Sequence, residues 1–329
     1  MRKTLFALVV VLASLLLAPS ASAVKFGEPD TGNVYPWVGL MVAVDDQGEP
    51  MWRCTGSLLS ADLYLTAGHC VGYDPDTDAT PAKVYLWFTT GAEVINTDPQ
   101  YLINLAYQDT LGDAAADAFN VCLGDPTKTF EGDPLLPVLG YPCGGYDAWG
   151  LPQSYPDWTG SLTIPQTFDV GVVHDIVWTP HAAIQGHPYT QPTTYGTIAD
   201  AGTLDALASA TGQGGKGNIE FTVVGYGLQS VKPIESATKQ RIVGTVSFVN
   251  LTSALSGGIN LHYSNNPGQG HGGSGGTCFG DSGGPVLYNG EIVAVNSFVL
   301  NNNCNGAAFG YRVDVDLVYA FLRSFGYTP

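Results

Sequence analysis

The sequence predicts an all-β chain that ends in one helix, and three observations point there. Gly 42 and Pro 21 among 329 residues supply many chain reversals. The apolar runs are short and bounded by turn residues, as strands are. Helical spacing appears after Asp316, where Leu317, Ala320, Phe321 and Phe325 fall at i, i+3, i+4 and i+8. A hydrophobic content of 45% with 11% aromatics is enough for a sizeable core, so disorder is not expected.

Residues 38–44, 58–59 with 63–66, and 84–88 read as short β segments. Residues 96–165 are rich in Pro and Gly without sustained alternation, and read as holding a long surface insertion. Residues 170–178 return to a strand-like run, and 179–201, rich in Pro, Thr and Tyr, read as a connector. The second half restarts at 219–224 before Gly225-Tyr226-Gly227, and continues with 241–251, 283–287 and 291–299. The glycine-rich stretch 265–276 reads as a surface loop. Residues 212–217 contain Gly-Lys but lack the Ser/Thr and the spacing of a phosphate-binding loop.

The first 23 residues have the form of a signal peptide. Arg2 and Lys3 precede an apolar run from Leu5 to Ala18, too short to span a bilayer comfortably, and Ala21-Ser22-Ala23 is an A-x-A cleavage site. Export follows, with no membrane association after cleavage. Removing this segment takes away two basic groups, leaving 10 Lys+Arg against 29 Asp+Glu, a formal charge of −19. That sign disfavours nucleic acid, whose phosphates need a basic surface. It suits solubility outside the cell.

Six cysteines in an exported chain point to disulfides. The spacing suggests Cys54 with Cys70, Cys122 with Cys143, and Cys278 with Cys304. A zinc site is the rival, but there is no C-x-x-C pair and no two histidines flank a cysteine pair. Asp74-Pro75-Asp76-Thr77-Asp78 begins like a calcium loop. Ala79 then replaces the turn glycine and Tyr85 the terminal glutamate, so the template fails. No metal or cofactor is expected.

Two motifs carry chemistry. Gly280-Asp281-Ser282-Gly283-Gly284-Pro285 is a poor strand or helix but a good tight turn, with backbone N–H groups converging beside a hydroxyl. Such donors stabilise the oxyanion of an acyl-transfer intermediate. Leu65-Thr66-Ala67-Gly68-His69-Cys70 places a histidine directly before a cysteine, and a Cys54–Cys70 disulfide would fasten that turn to the neighbouring strand. Together, in this order and in an exported chain, the two motifs resemble those of the trypsin/chymotrypsin family of serine proteases.

The resemblance implies a pair of six-stranded antiparallel Greek-key barrels with the site between them; strand spacing alone supports only all-β. The first barrel half would span 24–190, with the insertion around 96–165, and the second 191–329. The resemblance also implies a catalytic triad of His69, Ser282 and a carboxylate. Phe168-Asp169-Val170-Gly171 is similar to the family's acid at the head of an apolar strand. Asp175 is the competitor, but it lies inside the strand that Asp169 would begin. The 100-residue gap between His69 and Asp169 is about twice the family's usual one, which is what the insertion must fill. Gly280 and Ser282 would supply the oxyanion N–H groups. The remaining histidines, His174, His181, His187, His262 and His271, read as satisfied or solvated.

Val24-Lys25-Phe26-Gly27 looks like a degenerate form of the family's Ile-Val-Gly-Gly start, with Pro36-Trp37 at the matching distance. Cleavage after Ala23 would expose a Val24 ammonium to pair with Asp281. Gly276 stands where trypsin-like enzymes carry the acid that recognises Arg/Lys, so such side chains would lack a partner. Ser297-Phe298-Val299 resembles the substrate-pairing wall segment. Val299 in place of glycine, with Phe309 opposite, would narrow the pocket toward small apolar side chains.

The function implied is a secreted, monomeric serine endopeptidase acting on protein or peptide substrates. An inactive homologue serving as an extracellular binding module is the alternative. A lipase or esterase fits less well, because no strand–elbow–helix context surrounds Gly280–Gly284.

Overall fold

The computed structural model describes residues 24–46, 50–75, 77–88, 147–178, 191–210, 218–228, 241–265 and 275–329. The expected signal peptide, the Cys122–Cys143 disulfide and most of the expected insertion lie outside them.

Strands β2 (Val38–Val44), β3 (Pro50–Leu58), β4 (Leu63–Thr66), β5 (Lys83–Trp87), β6 (Ala148–Ser154) and β7 (Gly171–Trp178) close into a barrel in the order β2-β3-β4-β7-β6-β5. A short β1 (Glu28–Pro29) precedes it and pairs with the second barrel. That barrel joins β8 (Glu220–Gly225), β9 (Ile242–Asn250), β10 (Asn260–Ser264), β13 (Ala307–Arg312), β12 (Glu291–Val299) and β11 (Pro285–Tyr288), closed by a β9–β8 pairing. Both six-stranded barrels are antiparallel throughout. Closure leaves neither sheet with a free edge.

The sequence reading placed most strands and missed several elements. β6 falls inside the range expected as insertion, because Ala148-Trp149-Gly150-Leu151-Pro152 lacks clean alternation and carries a proline. Its pairing partners β5 and β7 hold it in place regardless. β1, all of β3 but its last residue, β10, β13 and helix α1 (Thr203–Ala210) also went unread.

The terminal helix α2 (Asp316–Arg323) forms where its spacing predicted, but with its face turned. Leu317 is 40% exposed, and Ala320 is exposed too. The buried side chains are Val318, Tyr319, Phe321 and Leu322. Val318, Phe321 and Leu322 also sit at i, i+3 and i+4, so two overlapping stripes were available. Docking chose between them: Phe321 meets Tyr155 edge-on, and the Tyr319 hydroxyl donates to Ala199 O at 2.7 Å. The helix follows the second barrel in sequence and packs into a hydrophobic cluster that joins residues of both barrels. This fastens the two halves together.

Candidate active site

The residues singled out from sequence converge between the barrels. His69 lies on a 3₁₀ turn (Gly68–Cys70) after β4, and Cys70 is bonded to Cys54 of β3. The cross-link limits how far the imidazole can wander.

Asp169 comes in from the approach to β7 and is fully buried. Its carboxylate accepts the His69 backbone N–H at 2.8 Å, and Oδ2 lies 2.9 Å from Nδ1. The Ser297 hydroxyl donates to the same oxygen. Burial alone would raise this carboxyl, but the His69 charge and hydrogen bonds from His69 and Ser297 outweigh it and hold it below its usual value. Burial would likewise lower His69, yet the Asp169 charge and hydrogen bond lift it above 6.5. Phe168, immediately before the acid, has φ +45°, rare for an aromatic residue. Such strain persists where the surroundings over-determine it, here through a stacked Tyr155–Phe168 pair. The competitor Asp175 is exposed and pairs with its neighbour His174.

The Ser282 turn is a left-handed kink followed by another, with φ +92° at Gly280 and +77° at Gly283. Glycine meets that demand at little cost. The N–H groups of Asp281, Gly283 and Gly284 donate to the carbonyls of Cys278, Asn296 and Asp281. Among the described residues, those of Gly280 and Ser282 have no acceptor. Cys278–Cys304 braces the turn. Thr55 of β3, unread in the sequence, holds it from the other barrel: its N–H donates to Ser282 O and its hydroxyl to Gly280 O, both at 2.8 Å.

Asp281 is buried, accepting N–H groups from Cys278 and Gly227 at 2.9 and 2.8 Å. Burial pushes its carboxyl up to about 7, against those hydrogen bonds and the charge of Arg53. Val24 is buried against Gly244 and Gly275 of the second barrel, and Lys25 bridges Gly276.

A cleft of about 610 Å³ is lined by His69 and Ser282 together with Ser297, Phe298, Val299, Trp52, Trp158 and Leu162. Trp158, which no motif marked, has its ring centre 6.5 Å from that of His69. Gly276 and Phe309 are not among the lining residues. Phe309 lies one layer behind, stacked on Phe298 with centroids 4.6 Å apart. A Cβ on Gly276 would meet Asn265 Oδ1 at 2.5 Å, so Asn265 fills the space beneath it. His262 stacks on Phe309. Cys54, His69 and Cys70 cluster like metal ligands, but the two sulfurs are bonded to each other and offer no thiolate.

Residues 204–321 match the family model described as Trypsin. That stretch contains Ser282 and excludes His69 and Asp169. Among solved structures, the one described as HL collagenase shares 16% identity, with a TM-score of 0.55. The likeness covers 93% of this chain and 100% of that one. No curated protein matches the sequence. The fold is that of trypsin/chymotrypsin-like serine proteases, and the match to the Trypsin family model lies over the second barrel. The resemblance drawn from the two motifs is borne out at this level.

Proposed function

We propose that the chain is a secreted serine endopeptidase in which Ser282 is the nucleophile, His69 the general base and Asp169 its orienting acid. The observation that carries this reading is the contact of Asp169 with His69 Nδ1 at 2.9 Å, in a cleft that Ser282 also lines. With Nδ1–H committed to the carboxylate, Nε2 is the ring nitrogen left to take the Ser282 proton.

As Ser282 Oγ bonds to the substrate carbonyl carbon, its proton passes to His69 and the carbonyl π pair moves to oxygen. The free N–H groups of Gly280 and Ser282 hold that oxyanion, each such donor contributing about 3 kcal/mol in the transition state. The C–N bond then breaks, and the imidazolium returns its proton to the leaving amine. Water attacks the acyl-enzyme by the same path and regenerates Ser282. Asp169 stays ionised throughout.

Small or apolar side chains are preferred over Arg/Lys: position 276 has no carboxylate, Asn265 occupies the space below it, and Val299 narrows the wall. Pairing of a Val24 ammonium with Asp281 belongs to the same reading. A cation added beside a buried carboxyl that stands at about 7 would draw it back to the ionised form. N-terminal sequencing of the exported protein checks this, and a start other than Val24 contradicts it. Export itself rests on the signal-like first 23 residues and on two disulfides. Among the described residues, no helix is long and apolar enough to cross a membrane.

A fluorophosphonate tests the reading as a whole. An adduct mapped to Ser282, lost in His69→Ala and accompanied by cuts in an unfolded protein, is expected. Folded protein that neither labels nor cuts is the outcome of the binding-module alternative.

A further inference from the structure

Lys25 is only 7% exposed, yet it carries an ammonium. Its Nζ donates to Asn303 O at 2.9 Å, to Cys304 O at 3.3 Å and to the Asn305 side-chain oxygen. All three acceptors belong to one short loop, which follows β12 directly. A buried cation needs such partners, since each lost one leaves a costly desolvated charge.

The backbone around Lys25 is held in an uncommon shape to achieve this. Val24 and Phe26 have φ +49° and +61°, a region that β-branched and aromatic residues rarely adopt. The Val24 carbonyl accepts the Gly27 N–H at 2.7 Å, and Lys25 pairs with Gly276 as a β-bridge. Strain on both sides of a buried lysine persists only where the contacts it enables outweigh it.

The loop is tied to the substrate wall. Cys304, whose carbonyl Lys25 holds, is bonded to Cys278, four residues before Ser282. Val299 packs against the cluster that contains Cys278 and Cys304 and also lines the cleft. Besides Lys25, the loop is held by Asn265, whose side-chain amide and backbone N–H donate to Cys304 O at 2.9 Å and to Gly306 O at 3.0 Å, and by Asn301, which bonds the backbone of Asn303 and Asn305; Leu300 is 50% exposed.

We propose that Lys25 is a positioning residue for substrate binding, its ammonium fixing residues 303–305 and, through Cys304, the Val299 wall of the cleft. The proposal rests on the peptidase reading for its kinetic consequence and on geometry alone for its structural one. N-terminal residues thereby act on affinity for the substrate rather than on the chemical step.

Two variants of the full chain test it. Lys25→Met keeps the length and removes the charge, while Asn305→Ala removes one exposed acceptor and leaves the loop's backbone bonds in place. Hydrogen exchange of amides 300–306 is expected to speed up about 10-fold or more in Lys25→Met and less in Asn305→Ala, with the barrel strands unchanged. KM for peptide substrates is expected to rise about 10-fold in Lys25→Met, with kcat within about twofold. Unchanged exchange in both variants overturns the proposal, as does faster exchange with KM unmoved. Should Lys25→Met not fold, an Asn305→Ala protein with unaltered loop exchange overturns it equally. Faster loop exchange in a protein whose wild type cuts no peptide supports the latch and removes the peptidase reading instead.

Discussion

The backbone N–H of Thr55, on the first barrel, donates to the carbonyl of Ser282, on the second, at 2.8 Å. Its neighbour Cys54 is bonded to Cys70, which adjoins His69. One strand therefore sets both the proposed nucleophile and the proposed base.

Thr55 is fully buried, and its hydroxyl both donates to Gly280 O and accepts the Tyr226 N–H at 3.1 Å. Thr55→Val keeps the shape and removes both of these bonds. A loss of about 1–3 kcal/mol in denaturant unfolding is expected, together with a fall in kcat from a loosened Gly280. Unchanged stability and kcat would show that the hydroxyl is dispensable.

The pH dependence follows from the directions of two shifts. His69 lies above 6.5 in the folded chain, so it contributes stability in full below its unfolded value and loses it as pH rises through the folded one. Asp169 lies below 3.8, so its contribution is present above that value and lost as pH falls through the folded one. Activity needs neutral His69, hence kcat/KM should rise with pH around a midpoint above 6.5. Asp169→Asn should cut kcat about 10⁴-fold and move the midpoint down. A pH–rate profile of the two proteins checks both, and a midpoint unmoved by the substitution counts against the pairing.

Much of this candidate site was legible because the proposed chemistry uses short, nearly contiguous motifs. His69 and Ser282 each sit in a turn whose glycines and cysteine announce it. Asp169 was legible more weakly, as an acid heading an apolar run; it is the one buried against His69, while Asp175 is exposed beside His174. Thr55 and Trp158 left no signal that spacing could show: Thr55 acts across the barrels, and Trp158 reaches His69 and Tyr73 from a distant stretch of the same half. Ser297 was read as wall, and its bond to Asp169 appeared only in three dimensions. β6 was hidden because its sequence alternates poorly and its place comes from β5 and β7.

The rotated face of α2 makes a direct comparison possible. Leu322 is fully buried and Leu317 is 40% exposed. Leu322→Ala should cost about 2–5 kcal/mol, whereas Leu317→Ala should stay within about 0.5 kcal/mol. Chemical denaturation measures both, and equal losses would contradict the orientation of the helix.

The packing at Gly276, outside the cleft lining, predicts a failed specificity switch. Asn265 is held there by Thr277 N–H at 2.7 Å and by its own bonds to Thr277 O and Cys304 O. Gly276→Asp would drive a Cβ into it and would not by itself create cleavage after Arg/Lys. Profiling against a peptide library checks this; efficient Arg/Lys cleavage by that variant would mean that position 276 does reach the substrate.

The central claim is that Ser282 and His69 act as one unit, and a double-mutant cycle on kcat/KM measures it most directly. Ser282→Ala and His69→Ala should each reduce kcat/KM by about 10⁴-fold or more, and the double variant should be no worse than either. Losses that multiply in the double variant, or single variants that keep wild-type activity, would contradict the account.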